Sequence, residues 1–116
     1  MTPHDRRSFY IGGQWVAPAK ARELEVVNPA TESAVGVISL AGADYVDRAV
    51  AAARAAFADW SQTPVAERLA LLRRLLAAYQ SRQADVAAAI SAEMGAPVTL
   101  ATRAQAPSAA GHLRTM

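Results

Sequence analysis

The pattern of apolar and polar positions changes period once along this chain, at Gly42. Before that glycine the apolar residues come in short runs. Phe9, Tyr10 and Ile11 precede Gly12-Gly13, and Gln14, Trp15 and Val16 follow. Two glycines between aromatic and β-branched runs predict a tight hairpin, because primed turns require positive φ. Pro18-Ala-Lys20 interrupts the pattern. Residues 24–27 and 35–40 then predict two further strands, joined by Asn28-Pro-Ala-Thr-Glu32. Asn-Pro favours a turn, and proline cannot donate to a sheet ladder.

After Gly42 the period becomes that of a helix. Val46, Val50, Ala53, Phe57 and Trp60 fall on one stripe and are expected to face a core. Asp44 and Asp47 stand near the start, where the helix dipole favours acids. Thr63 before Pro64 predicts a capped second helix, with Leu69, Leu72, Leu75 or Leu76, and Tyr79 inward. Ser81 is the expected cap of a third helix, with Val86, Ala89, Ile90 and Met94 inward. Gly95 is its expected stop and Pro97 follows. A fourth helical pattern runs from Pro97 through Ala101, Gln105, Ala109 and His112. Pro107 predicts a kink or a late start in it. The expected architecture is an α+β fragment, hairpins followed by three or four helices. Its parts are a flexible tail at 1–7, hairpins at 8–41 and helices at 42–116, with the pattern truncated at the C-terminus.

Composition narrows the chemistry. Of the 116 residues 53% are hydrophobic, but only 6% are aromatic, and alanine supplies much of the rest. Alanine buries little area, so the expected core is thin. The net charge of +2 is a weak field, and the basic residues are dispersed. A nucleic-acid face needs clustered charge with stacking groups, which is lacking here. No apolar run approaches the length of a membrane span. The first residues lack the apolar region of a signal peptide, so the cytoplasm is the expected location. With no cysteine, the chain offers neither a disulfide nor a thiol nucleophile. His4 and His112 lie far apart, without neighbouring ligands for a metal.

Five fragments occur in a fixed order: Tyr10-Ile-Gly-Gly-Gln-Trp15, Val27-Asn-Pro-Ala-Thr31, Ala49-Val50 through Phe57 and Trp60, Glu67-Arg68 before Leu71-Leu72-Arg73, and Glu93-Met-Gly-Ala-Pro97. This order resembles the N-terminal quarter of NAD(P)-dependent aldehyde dehydrogenases. The resemblance implies a parent enzyme that oxidises an aldehyde to a carboxylic acid with NAD or NADP, and that is a homo-oligomer when full length. In that parent this segment would form part of an α/β cofactor-binding domain, its partner being the remainder of the polypeptide. The family's catalytic Cys, Asn and Glu and its phosphate loop lie beyond the matching positions. No catalytic or cofactor-binding residue is therefore expected within residues 1–116.

The same resemblance singles out two sets of residues. Some family members bind a monovalent cation with a carboxylate two residues before the glycine that ends the third helix and with carbonyls before the Asn-Pro turn. Here those positions are Glu93, Val26 and Val27. An acid at the negative end of a helix needs compensation, and a hard cation with oxygen ligands would supply it. A solvated or Arg-paired carboxylate is the alternative. Gln105, Ser108 and His112 would share one face of an unbroken helix and, by resemblance, reach the mouth of a substrate tunnel. A helix surface facing solvent or the rest of a protein is the alternative. Two other functions stay open at this point, a stand-alone helical interaction module and a truncated remnant without activity. The sequence does not choose the aldehyde, the preference between NAD and NADP, or the oligomeric state.

Overall fold

The computed structural model describes residues 4–19 and 22–116. The chain divides into two compact units, residues 1–27 with 33–62 and residues 28–32 with 63–116.

The first unit carries five short strands, β1 (His4–Arg6), β2 (Phe9–Ile11), β3 (Gln14–Val16), β4 (Arg22–Asn28) and β5 (Ser33–Leu40), followed by helix α1 (Ala43–Trp60). Strands β2 and β3 form the expected antiparallel hairpin, with Tyr10 opposite Trp15. Gly12 and Gly13 both have positive φ, which is what a primed turn demands. The Tyr10 and Trp15 rings meet across the strands at 5.2 Å and 58°, a tilted pair on the exposed face. The other sheet has the order β1-β5-β4. Its first strand departs from the expected tail at 1–7. Residues 1–3 lie outside the described residues, but His4, Asp5 and Arg6 pair parallel with Gly36, Val37 and Ile38. Parallel pairing between segments so far apart leaves no local signal, because the chain between them contains a hairpin and a whole strand.

Helix α1 meets the hairpin through Tyr45, its one buried residue. The Tyr45 ring packs at 5.4 Å from Phe9, its hydroxyl accepts the Ala19 N–H at 2.9 Å, and the Arg48 guanidinium lies 5.3 Å over its face. The stripe expected to face a core does not do so. Val46, Val50, Phe57 and Trp60 are 53%, 48%, 66% and 45% exposed. Trp15 of the hairpin is also exposed. The spacing defines a face correctly, but periodicity is silent about what covers it.

The second unit is helical: α2 (Val65–Ser81), α3 (Gln83–Met94), the single turn α4 (Val98–Leu100), a π-helical turn at Ala101–Gln105 and α5 (Ala106–Thr115). Pro64 stands at the cap position of α2, one residue later than expected. Ser81 does not cap α3. It is the last residue of α2, its hydroxyl donates to the Ala78 carbonyl at 2.8 Å, and Arg82 holds the junction. The competing bond to its own helix explains the difference.

The core of this unit is alanine. Ala87, Ala101 and Ala106 form a buried cluster against which Val86 and Ile90 pack. Ala110 is also buried. Side chains this small let α3, the π turn and α5 approach closely. Ala89 and Met94, expected inward, are exposed, because the contact runs through Ala87 instead. Leu72, Leu76 and Tyr79 of α2 are half-buried, and the Tyr79 hydroxyl donates to the Ala106 carbonyl at 2.7 Å.

Pro107 marks the late start that its position predicts: regular α-helix begins at Ala106, after a π turn. Leu100, Ala101, Gln105 and Ala106 all keep right-handed helical dihedrals, and the Ala106 N–H bonds five residues back to the Ala101 carbonyl. The widened turn immediately precedes proline, where a regular helix would push the ring against the carbonyl four residues back. Pro107 thus occupies the opening turn of α5, where its missing N–H costs little.

Gly95 ends α3 as expected, with φ +67° and its N–H on the Ser91 carbonyl at 3.1 Å. The Ser91 hydroxyl donates to the Ala96 carbonyl at 2.8 Å, closing the loop. Nearby, the Asn28 side chain accepts the Ala30 N–H at 2.8 Å and the Asn28 carbonyl accepts the Glu32 N–H at 2.8 Å. That turn sits against the glycine. A Cβ at Gly95 would lie 2.9 Å from the Pro29 Cγ. Gly95→Ala is therefore expected to destabilise the unit by about 1–2 kcal/mol from the left-handed backbone alone, and more from the clash. Urea denaturation of both proteins checks this, and an unchanged midpoint would refute it.

Candidate functional site

The candidate cation ligands fall on different elements. Glu93 lies in the last turn of α3, exposed, one residue before the helix ends. That turn carries no basic residue, and Glu93 enters none of the ion pairs among the described residues. Its carboxylate stands at the negative end of the helix with no compensating cation on that turn. Val26 and Val27 belong to β4 of the other unit, the first half-buried and the second exposed.

The tunnel trio is not one uniform face. Gln105 closes the π turn half-buried, and its Oε1 is buried without a hydrogen-bond partner among the described residues. Ser108 and His112 are exposed. The Ser108 hydroxyl donates to the Gln105 carbonyl at 2.7 Å, so it is spent on its own helix. The three follow one another along regular right-handed helix from Gln105 onward, and they differ in burial rather than in backbone conformation.

Sequence reading missed one cluster. Arg7 donates from Nη2 to Asp5 Oδ2 and from Nη1 to Glu23 Oε1, both at 2.8 Å, and from Nε to Asp5 Oδ1 at 3.0 Å. The Arg7 N–H also donates to Asp5 Oδ1, at 3.1 Å. The signal available was Asp5 two residues before Arg7; Glu23 is remote in sequence. The Arg7 side-chain and main-chain bonds pull the Asp5 carboxyl down from 3.8 to about 2, and the acids push Arg7 above its ordinary range. The group is exposed, so it acts as a solvated clamp on the first strands rather than as a reactive centre.

Beside the hairpin lies an open groove of about 380 Å³ whose lining includes Phe9, Ile11, Ala41, Tyr45, Val46 and Ala49. It is apolar and has no carboxylate, imidazole or amine in its lining. Among the described residues no group of three or more His, Asp or Glu side chains gathers to hold a metal. No helix there is long and apolar enough to cross a membrane.

The one junction from strand to long helix, β5 to α1, is the natural place to test for a dinucleotide cradle. Its loop is only Ala41-Gly42, and a Cβ on Gly42 would lie 2.8 Å from the Asp44 carboxylate. An acid over the helix N-terminus repels a pyrophosphate where a cradle must attract one. The residues of this junction therefore do not fit the phosphates of a dinucleotide.

Short strands lead into an alanine-packed helical body, an α+β arrangement. The model of the aldehyde dehydrogenase family matches residues 15–116. A 3-succinoylsemialdehyde-pyridine dehydrogenase from a Pseudomonas species is 54% identical over 112 residues, covering 96% of this chain and 24% of that protein. The aldehyde dehydrogenase of Bartonella henselae superimposes with a TM-score of 0.93 at 40% identity, over 96% of this chain and 23% of its own. Aldehyde dehydrogenase C of Pseudomonas syringae, solved with NAD+ and octanal, gives 0.90 at 46% identity, over 93% and 22%. This chain belongs to the aldehyde dehydrogenase family, and it matches the N-terminal part of that fold. It spans about a quarter of the length of these relatives.

The clamp on β1 gives a pH prediction. Asp5 is depressed in the folded protein, so its contribution to stability is complete above pH 3.8 and is lost as pH falls through about 2. Arg7→Gln is expected to return the Asp5 titration midpoint toward 3.8. Carboxyl-carbon NMR over the acid range reads the midpoint directly; a midpoint unmoved by the substitution would refute the pairing.

Proposed function

We propose that this chain is the leading segment of an enzyme that oxidises an aldehyde to a carboxylic acid with NAD+ or NADP+. The observation that carries the reading is the family match across residues 15–116, supported by 54% identity to a semialdehyde dehydrogenase. Such a reaction needs an activated nucleophile and a group that stabilises the oxyanion. With no cysteine and no dinucleotide cradle at its strand-to-helix junction, the segment contributes scaffold rather than chemistry. The resemblance further supports a homo-oligomeric, cytoplasmic enzyme. It also supports a tunnel-mouth role for the α5 region around Gln105, Ser108 and His112.

Residues 1–116 alone are expected to give no turnover. Purified chain incubated with either cofactor and a panel of aliphatic and aromatic aldehydes should show no rise in reduced-cofactor absorbance above a blank. Turnover in a preparation free of host enzyme would overturn the scaffold role. The positive test is a chimera in which this chain replaces the matched segment of the Pseudomonas relative. Aldehyde-dependent reduction of the cofactor is expected from it.

A monovalent-cation role for Glu93, with main-chain oxygens of Val26 and Val27, belongs to the same proposal. Its support is the resemblance, together with the uncompensated acid at the end of α3. In the chimera, Glu93→Gln should weaken the dependence of melting temperature on potassium or sodium, with a bulky organic cation as the control salt. Identical salt responses would leave Glu93 a solvated carboxylate.

A further inference from the structure

Tyr79 makes a directional link from α2 to the opening of α5. Its half-buried hydroxyl donates to the Ala106 carbonyl at 2.7 Å, across 27 residues of sequence. That carbonyl belongs to the peptide bond leading into Pro107, and Ala106 has no exposed surface. On its other side, the Ala106 N–H bonds five residues back to the Ala101 carbonyl. Pro107 supplies no N–H, so this turn is held by one main-chain bond fewer than a regular helix would have. Leu72 and Leu76 of α2 are half-buried as well, but apolar contact has no direction. A hydrogen bond fixes both a distance and an angle. Gln105 stands immediately ahead of the anchored carbonyl. Its own carbonyl accepts the Ser108 hydroxyl at 2.7 Å, but Ser108 rides on α5 and moves with it. The Gln105 side-chain oxygen has no hydrogen-bond partner among the described residues, so that oxygen is placed by the backbone that carries it. Tyr79 comes from a different helix and therefore sets where that backbone lies.

We propose that Tyr79 is a positioning residue for the aldehyde tunnel. Through the Ala106 carbonyl it fixes the turn that carries Gln105 and the start of α5, and so sets how well bulky aldehydes are held at the mouth. The inference rests on the tunnel-mouth reading of Gln105, Ser108 and His112 given above. Tyr79 acts through main chain rather than by touching substrate. A small shift of that turn carries Gln105 with it, and a large aldehyde, which meets more of the wall than a short one, loses more binding.

The test introduces Tyr79→Phe and Gln105→Ala, singly and together, into the chimera. Gln80→Ala, at an exposed position of α2, is the control. The kcat and KM are measured with a short aliphatic and an aromatic aldehyde. Tyr79→Phe keeps the ring and removes only the hydroxyl. It should raise KM for the aromatic aldehyde several-fold more than for the short one, and added to Gln105→Ala it should raise it no further. Gln80→Ala should move neither KM. A merely structural role would lower the active fraction, and with it kcat for both aldehydes alike, while leaving both KM values in place. That result would overturn the proposal, and so would a Tyr79→Phe effect undiminished in the Gln105→Ala background. A changed aldehyde preference in Gln105→Ala but not in Tyr79→Phe would remove the role of Tyr79 and keep the tunnel mouth. No change in either would remove the tunnel-mouth reading and the proposal together. Hydrogen exchange reads the anchor without activity. The amides of Ala106 and Ser108 should exchange several-fold faster in Tyr79→Phe, with those of α3 unmoved, and equal rates at Ala106 and Ser108 in the two proteins would overturn the inference.

Discussion

The helical unit depends on alanine at the points of closest approach. Ala101 and Ala106 have no exposed surface, and with Ala87 they bring α3, the π turn and α5 together. Nothing larger fits such a contact without moving a helix, since interiors are close-packed and overpacking strains them. The cost of this solution is a shallow core. Each buried alanine removes little apolar area from water, and no large side chain among the described residues is fully buried. Stability from these contacts is therefore modest, and the larger apolar side chains lie nearer the surface.

The π turn follows from the same economy of space. Proline at position 107 has no N–H and a ring that crowds the preceding turn. One wide turn before it keeps the backbone helical, so Ala101 and Ala106 ahead of the proline and Ala110 after it are all buried. Gln105 closes that wide turn half-buried, its side-chain oxygen without a hydrogen-bond partner among the described residues. A break at Pro107 would have divided the seam.

The charges of the Asp5–Arg7–Glu23 clamp are exposed and paired with one another, and the groove beside the hairpin is apolar. The chain belongs to the aldehyde dehydrogenase family, and within it the apolar stripe of α1 is exposed.

The sequence by itself determined what depends on local sterics and period. The Gly12-Gly13 hairpin, the Asn28-Pro29 turn, the switch to helix at Gly42 and the left-handed stop at Gly95 each arise within a few residues, so their signals are local. The order of five short fragments pointed to the family that the comparison with known proteins then showed. Candidate sites were less legible, because a site is a meeting of remote residues. Glu93 could be placed at a helix end from spacing, but the burial of the Gln105 side chain could not, since burial is set by remote segments. Only tertiary structure decided that β1 joins β5 in parallel, that Arg7 reaches Glu23, and that α3 packs through Ala87. It also decided that the most regular apolar stripe in the chain is left uncovered. Periodicity names a face because apolar groups avoid water, but the partner that removes the water is chosen by the three-dimensional surroundings.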